Sequence, residues 1–330
     1  MKIAVVGCGA VGSYYGAKLS RAGHEVHFLL RSDYEIVRHQ GVRICSVEGN
    51  FHVRPQYAQT PEGIGAVDLV LIGLKTTANY RFATLLPPLV GPSTALITLQ
   101  NGLGNEAQLA TRFGPEPVLG ALCFVCLNRV RPGEIHHLAY GQIVLGEYQR
   151  PPGRRTHRLA ALLRRAGIPC EITRDLERAR WEKLVWNVPF NGLGVASVAG
   201  YEAVLAGEVG RALPSGPCLT TDVLLAAPRW TELVRELMAE VIAAAGALGH
   251  DVPASLAEVN LARTRGMGAY KASTLVDYER CQPLELASMF LEPLRQAQQA
   301  GVPTPRLATL CRLLERLDPT QTPQHLTDSP

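Results

Sequence analysis

In the first half of the chain, short runs rich in Val, Ile and Leu alternate with stretches whose apolar residues recur at helical spacing. The pattern predicts strands at Lys2–Val6, Glu25–Leu30, Asp68–Leu74 and Thr94–Leu99. Between and after them it predicts helices at Val11–Ala22, Tyr34–His39, Thr77–Leu86 and Asn105–Arg112. Such alternation implies right-handed βαβ units and a parallel sheet. From Val118 to Tyr148 the texture changes to β runs with turn signals at Arg131-Pro132-Gly133 and Tyr140-Gly141, as expected for antiparallel strands closing the domain. Arg150-Pro151-Pro152-Gly153 is a breaker, followed by a helix at Thr156–Ala166 and a short strand at Cys170–Thr173.

Beyond Asp175 the periodicity is helical almost throughout, with Ala- and Leu-rich segments at Glu232–Ala247, Ala254–Arg263 and Leu284–Ala300. The fold class is therefore α/β, with a sheet domain over residues 1–176 and an all-helical domain over 177–330. Pro214-Ser215-Gly216-Pro217 reads as a loop in the helical half, and Pro319–Pro330 as a frayed tail. No internal repeat is visible.

With 330 residues and 47% hydrophobic content, the chain has enough material for two buried cores. Its longest apolar runs are only strand-length, and the start lacks the basic region and cleavage site of a signal peptide, so a cytoplasmic protein off the membrane is expected. The net charge of +4 is spread along the chain. That suits a small anionic ligand better than nucleic acid, which calls for a concentrated basic stripe. Eight cysteines sit among apolar neighbours without a disulfide framework. Cys123 and Cys126 fall in a predicted strand, where residues three apart face opposite ways, so packing is the expected role. His136 and His137 lie in the predicted hairpin with no carboxylate pattern for a metal site; exposed or packed histidine is expected, and no metal.

Chemistry enters through polar residues placed against this background. Lys183, Asn187 and Asn191 are spaced by four in the apolar run Leu184-Val185-Trp186-Val188-Phe190-Leu193, so on a helix they share nearly one face. A buried ammonium and two buried amides need partners, which a polar substrate supplies. Pro189 removes a helical hydrogen bond between the two asparagines and is expected to bend that helix.

Gly7-Cys8-Gly9-Ala10-Val11-Gly12 follows the first strand and opens a helix, the arrangement that holds pyrophosphate at a helix N-terminus. The competing reading, an ordinary strand-to-helix turn, leaves the flanking strand and the following βαβ unit unexplained. The second strand ends in Phe28-Leu29-Leu30-Arg31-Ser32, without the acid that binds an NAD ribose. Arg31 suits a 2′-phosphate, hence NADP(H); its plainer reading is a solvated surface arginine. Lys75 and Gln100-Asn101-Gly102 occupy two further strand ends, where an open parallel sheet binds ligands. Singly they read as a cap and a turn.

Together these residues resemble the 2-dehydropantoate 2-reductase (ketopantoate reductase) family. The likeness rests on Gly7 to Gly12, Lys75, Asn101-Gly102-Leu103-Gly104, Trp181-Glu182-Lys183-Leu184 with Asn187 and Asn191, Lys271 to Asp277, Pro283-Leu284-Glu285-Leu286 and Gly301 to Pro305, in that order. It implies an N-terminal Rossmann NADP-binding domain, a helical C-terminal domain like that of 6-phosphogluconate dehydrogenase, and a site between them. The implied reaction is NADPH-dependent reduction of a small 2-keto acid, ketopantoate, to (R)-pantoate in pantothenate biosynthesis.

By position, the resemblance implies that Lys183 donates the proton and polarises the carbonyl, and that Asn187 and Asn191 hold substrate oxygens. Ser273 would contact the carboxylate, Glu285 would bind a cofactor or substrate edge and support the lysine, and Asn101 and Lys75 would line the nicotinamide and phosphate side. Alternatives from the residues alone are an ion pair of Lys183 with Glu182 or Glu177, a helix cap for Ser273, a solvated face for Glu285 and a surface role for Lys271. Two departures bear on substrate: Tyr201 stands where an asparagine is frequent, and Asn191-Gly192 replaces an Asn-Pro pair. Other readings are a reductase of a different 2-keto acid and a nonenzymatic NADP(H)-binding regulator. The Ala-rich helices suit either a homodimer face or a monomeric core.

Overall fold

The computed structural model describes residues 1–208 and 216–320, which fall into two compact units, Met1–Leu176 and Glu177–Pro330. Pro214 and Ser215 of the expected loop, and residues 321–330 of the expected tail, lie outside the described residues.

The first unit opens with β1 (Lys2–Val6), α1 (Ala10–Arg21), β2 (Glu25–Leu29) and α2 (Tyr34–Gln40). Three short strands follow that hydrophobic patterning did not single out: β3 (Val42–Ser46), β4 (Phe51–Val53) and β5 (Gln56–Ala58). Next come β6 (Val67–Ile72), α3 (Phe82–Leu85), β7 (Val90–Thr98), α4 (Asn105–Phe113), the long hairpin β8 (Val118–Arg131) and β9 (Glu134–Glu147), α5 (Arg154–Arg165) and β10 (Cys170–Ile172). The single helix expected over Thr77–Leu86 is instead a 3-10 helix at Thr76–Arg81 running into the one-turn α3. Threonine and asparagine favour such tight turns, and Pro87-Pro88 stops continuation.

Along the sheet the order is β4-β3-β9-β8-β7-β6-β1-β2-β5, with β10 beside β9. From β5 to β8 all neighbours are parallel, giving the doubly wound order 3-2-1-4-5-6. Both faces are covered: Ile3, Val5, Leu69, Leu71 and Ile97 belong to one core, whereas Ala4, Val6, Val70, Ile72 and Leu96 belong to the other. The chain reverses at β1, where β2 lies on one side and β6 on the other. Tyr140-Gly141 makes no turn. Both residues lie within β9 at positive φ, and the register skips Gly141 between the pairs Phe124–Gln142 and Val125–Tyr140, so the glycine marks a bulge. Of the two histidines, His137 is buried and donates from Nε2 to the Tyr140 carbonyl at 2.8 Å, while the His136 side chain is 39% exposed.

The second unit is helical among its described residues. It contains α6 (Leu176–Ala196, beginning on the last residue of the first unit), α7 (Tyr201–Ala206), α8 (Thr221–Ala226), α9 (Pro228–Ala247), α10 (Leu256–Arg265) and α11 (Ser273–Glu279). A π-helical turn at Ala287–Leu291 leads into α12 (Glu292–Gln299), and α13 (Pro305–Leu317) completes it. Trp181, Leu184, Val185, Val188, Phe190, Leu193 and Val195 are all buried, so α6 is enclosed on nearly every side. Pro189 lies inside α6 without ending it. No helix of the described residues is long and apolar enough to cross a membrane.

Candidate active site

At the reversal of strand order the loops after β1 and β6 touch through glycines. A Cβ on Gly7, whose φ is +97°, would lie 2.2 Å from the Leu74 backbone nitrogen, and one on Gly73 would lie 2.9 Å from the Gly7 carbonyl oxygen. One on Gly12 would meet that carbonyl at 2.2 Å, so α1 can follow β1 this closely only without a side chain there. Gly9, by contrast, faces open space and precedes the first turn of α1, which has no side-chain cap and no acidic residue. Residues Gly7 to Gly12 thus offer free backbone approach and a positive helix end, which fits the pyrophosphate of a dinucleotide. Cys8 turns its thiol inward, donating to the carbonyls of Val5 at 3.5 Å and Leu29 at 3.6 Å. Burial first, then the charge of Asp33, pushes that thiol's pKa well up, so it stays neutral.

At the end of β2, Arg31 is exposed and Asp33 is buried. Arg129 donates to both Asp33 oxygens, Ser32 Oγ donates to Oδ1 at 2.9 Å, and the Gly133 amide donates to Oδ2 at 3.3 Å. The nearest acid is therefore committed to fixing the loop, and the side chain left facing solvent is basic.

A line of buried and half-buried amides joins the loops after β6 and β7, and no motif in the sequence marks it. Thr98 Oγ1 donates to Gln100 Oε1 at 2.9 Å; Gln100 Nε2 donates to the Leu74 carbonyl at 3.0 Å and to Asn79 Oδ1 at 2.7 Å. Asn79 Nδ2 donates to Asn105 Oδ1 at 2.9 Å, and Asn105 Nδ2 donates to the Asn101 carbonyl at 2.9 Å. Exposed Lys75 precedes the 3-10 turn at one end of this line, and half-buried Asn101 lies at the other. The structure thus brings Lys75, Asn101 and the glycine loop to one edge of the sheet. The only sequence signal for the connection was polarity at Gln100, Asn79 and Asn105, positions with no spacing in common.

In the helical unit, α6 carries Lys183 half-buried, with Asn187 5% and Asn191 2% exposed. Asn191 Oδ1 accepts from Ser273 Oγ at 3.2 Å and from the Thr274 amide at 3.0 Å. The amide of Asn191 therefore caps α11 across space, and the expected cap role of Ser273 passes to it: Ser273 is the first helical residue, and its hydroxyl is tied to α6. With Oδ1 so engaged, the amide orientation is fixed and Nδ2 is the end left to donate elsewhere. Glu285 precedes the π turn and is 7% exposed, so it is no solvated helix face. Glu182 pairs with Arg178 at 3.0 Å, Glu177 faces His250 at 3.8 Å, and exposed Lys271 holds both oxygens of Glu279 at 2.8 Å.

Both family departures have packing explanations. A Cβ on Gly192 would lie 2.5 Å from Leu310 Cδ2 and 3.0 Å from Phe290 Cε1, so α13 and the π turn approach α6 too closely for a larger residue. Tyr201 packs edge-on against Trp230 with ring centroids 5.0 Å apart, and the Arg229 guanidinium lies over its ring at 4.7 Å.

The family model described as "Ketopantoate reductase PanE/ApbA" matches residues 3–150, and "Ketopantoate reductase PanE/ApbA C terminal" matches 218–318. The chain is 39% identical over 328 residues to the 2-dehydropantoate 2-reductase of Nostoc sp., covering 96% of this chain and 95% of that one. It superimposes on a 2-dehydropantoate 2-reductase structure from Geobacter metallireducens GS-15 with a TM-score of 0.87 at 44% identity, over 96% and 99% of the two chains. For the Methylococcus capsulatus enzyme the TM-score is 0.83 at 33% identity, over 98% and 99%. With both units matched and near-complete coverage of these relatives, the chain belongs to the ketopantoate reductase PanE/ApbA family.

Proposed function

We propose that this protein is an NADPH-dependent 2-dehydropantoate 2-reductase, forming (R)-pantoate for pantothenate biosynthesis. The observation that carries the reading is the 39% identity, over almost the whole chain, to a relative of that activity. NADP(H) over NAD(H) is supported by the end of β2, where Arg31 is exposed and Asp33 is held by Arg129. NADPH, when bound, supplies a hydride to the keto carbon.

The chain's own groups do the rest. The Lys183 ammonium stabilises negative charge growing on the keto oxygen and delivers a proton to it from Nζ. Glu285 supports the charged lysine, since a carboxylate close to an ammonium favours ionisation. Asn187 and Asn191 donate to substrate oxygens, and Ser273 turns its hydroxyl proton from Asn191 Oδ1 to the substrate carboxylate. Gly7 to Gly12 receive the pyrophosphate, Arg31 the 2′-phosphate, and Lys75 and Asn101 flank the nicotinamide and phosphate side. Free thiols at all eight cysteines support a reducing, cytoplasmic setting.

The test is NADPH oxidation across ketopantoate and a small panel of other 2-keto acids, repeated with NADH. The reading expects ketopantoate to give the highest kcat/KM and NADPH to be preferred. A better keto acid would move the substrate while keeping the chemistry. NADPH binding without oxidation by any of them would leave a regulator. Tyr201→Asn reports whether the Tyr201 ring shapes the pocket.

A further inference from the structure

One cluster lies outside the assigned residues, on β3 and the hairpin whose Gly133 amide holds Asp33. Strands β3 and β9 run parallel with Cys45 opposite His136 and Arg43 opposite Glu134. Side chains two residues apart on a strand share a face, so Cys45, Glu134 and His136 converge on one side of the sheet. One ligand atom from each of the three lies within 4.8 Å of the others, and all three residues are half-buried. His136 Nε2 is 3.0 Å from Glu134 Oε1. Arg131 donates to the other oxygen, Oε2, from Nε at 3.1 Å and Nη2 at 2.7 Å. The arginine fork therefore occupies the far side of the carboxylate and leaves Oε1 turned toward the imidazole and the thiol.

We propose that Cys45, Glu134 and His136 form a binding site for a divalent metal ion of the zinc class. A sulfur, a nitrogen and an oxygen donor suit a borderline ion in four-coordinate geometry, with water as fourth ligand; calcium and magnesium call for oxygen alone. On binding, the Cys45 thiol gives its proton to solvent and forms the metal–sulfur bond as thiolate. His136 carries its proton on Nδ1 and presents the Nε2 lone pair. Arg131 acts from outside the ligand set, orienting the carboxylate, while its charge and that of Arg43 weaken the attraction for a cation. The resulting affinity is modest, in keeping with a reversible site. The ion binds on β3 and β9, outside the residues assigned to hydride transfer. Its effect is to link β3 to β9, which stabilises that edge of the sheet.

Sequence spacing alone hides this site, because Cys45 reaches the other two only through strand pairing. The experiment titrates metal-stripped full-length protein with Co2+, then displaces it with Zn2+. We expect one equivalent of Co2+ to produce a thiolate charge-transfer band that Zn2+ removes. Cys45→Ser should abolish the band, and Cys281→Ser should keep it. His136→Ala, at a side chain exposed enough to tolerate change, should weaken binding by at least about tenfold. Absence of the band in the folded wild type, its survival in C45S, or unchanged affinity in H136A overturns the proposal.

Discussion

Asn191 on α6 accepts through one oxygen both the Ser273 hydroxyl, at 3.2 Å, and the Thr274 amide, at 3.0 Å. This relationship separates two functions of one side chain. The oxygen holds the start of α11; the nitrogen is the part available to a ligand. Asn191→Asp keeps the acceptor and should fold with near-normal thermal stability while kcat/KM for the keto acid falls. Asn191→Ala removes both and should also lose about 1–3 kcal/mol, because a buried amide and hydroxyl are left unsatisfied. Thermal unfolding measured beside steady-state kinetics distinguishes the two.

The hydrogen bond from Gln100 Nε2 to Asn79 Oδ1 predicts a different signature. Asn79 links the segments that carry Lys75 and Asn101. Asn79→Ala should raise the KM for NADPH several-fold with kcat nearly unchanged, and should lower stability by about 1–2 kcal/mol. An unchanged KM would reduce the amide line to a purely structural role.

The cysteines give a prediction for pH. Burial pushes the Cys170 and Cys218 thiols up to about 11 and Cys311 up to about 12, from an ordinary 9.0. A raised folded value means that the fold prefers the neutral thiol. The stability this contributes is fully present below 9.0 and is lost as pH rises through about 11 to 12. Alkaline unfolding should therefore steepen in that window. At mildly alkaline pH a thiol reagent should label exposed Cys281 first and reach Cys170 and Cys311 only after unfolding. Fast labelling of Cys311 in native protein would contradict the burial.

How far the sequence could be read depended on the range of the interaction. Strands such as Lys2–Val6 and helices such as Asn105–Phe113 follow from local periodicity, and the structure places them within a residue or so of expectation. β4 and β5, at three residues each, are too short to carry a period and lie at the two edges of the sheet, so pairing alone defines them. Thr77–Leu86 misled because its side chains serve tertiary bonds: Asn79 is part of the amide line and not of a helix face. In the candidate site, the glycine loop and the Lys183-Asn187-Asn191 line were legible as spacing. The engagement of Asp33 by Arg129, of Asn191 by Ser273 and of Cys45 by His136's strand was not, since each joins residues distant in the chain. Gly192 looked like a lost motif residue; its role is close helix packing, which needs coordinates to see.

The central claim is that Lys183 supplies the proton and the positive charge at the reacting oxygen. Lys183→Ala should be measured for ketopantoate turnover and, by fluorescence titration on the same preparation, for NADPH binding. We predict a fall in kcat of roughly 10²- to 10⁴-fold with NADPH affinity near that of the wild type. A variant that keeps most of its turnover would contradict the account.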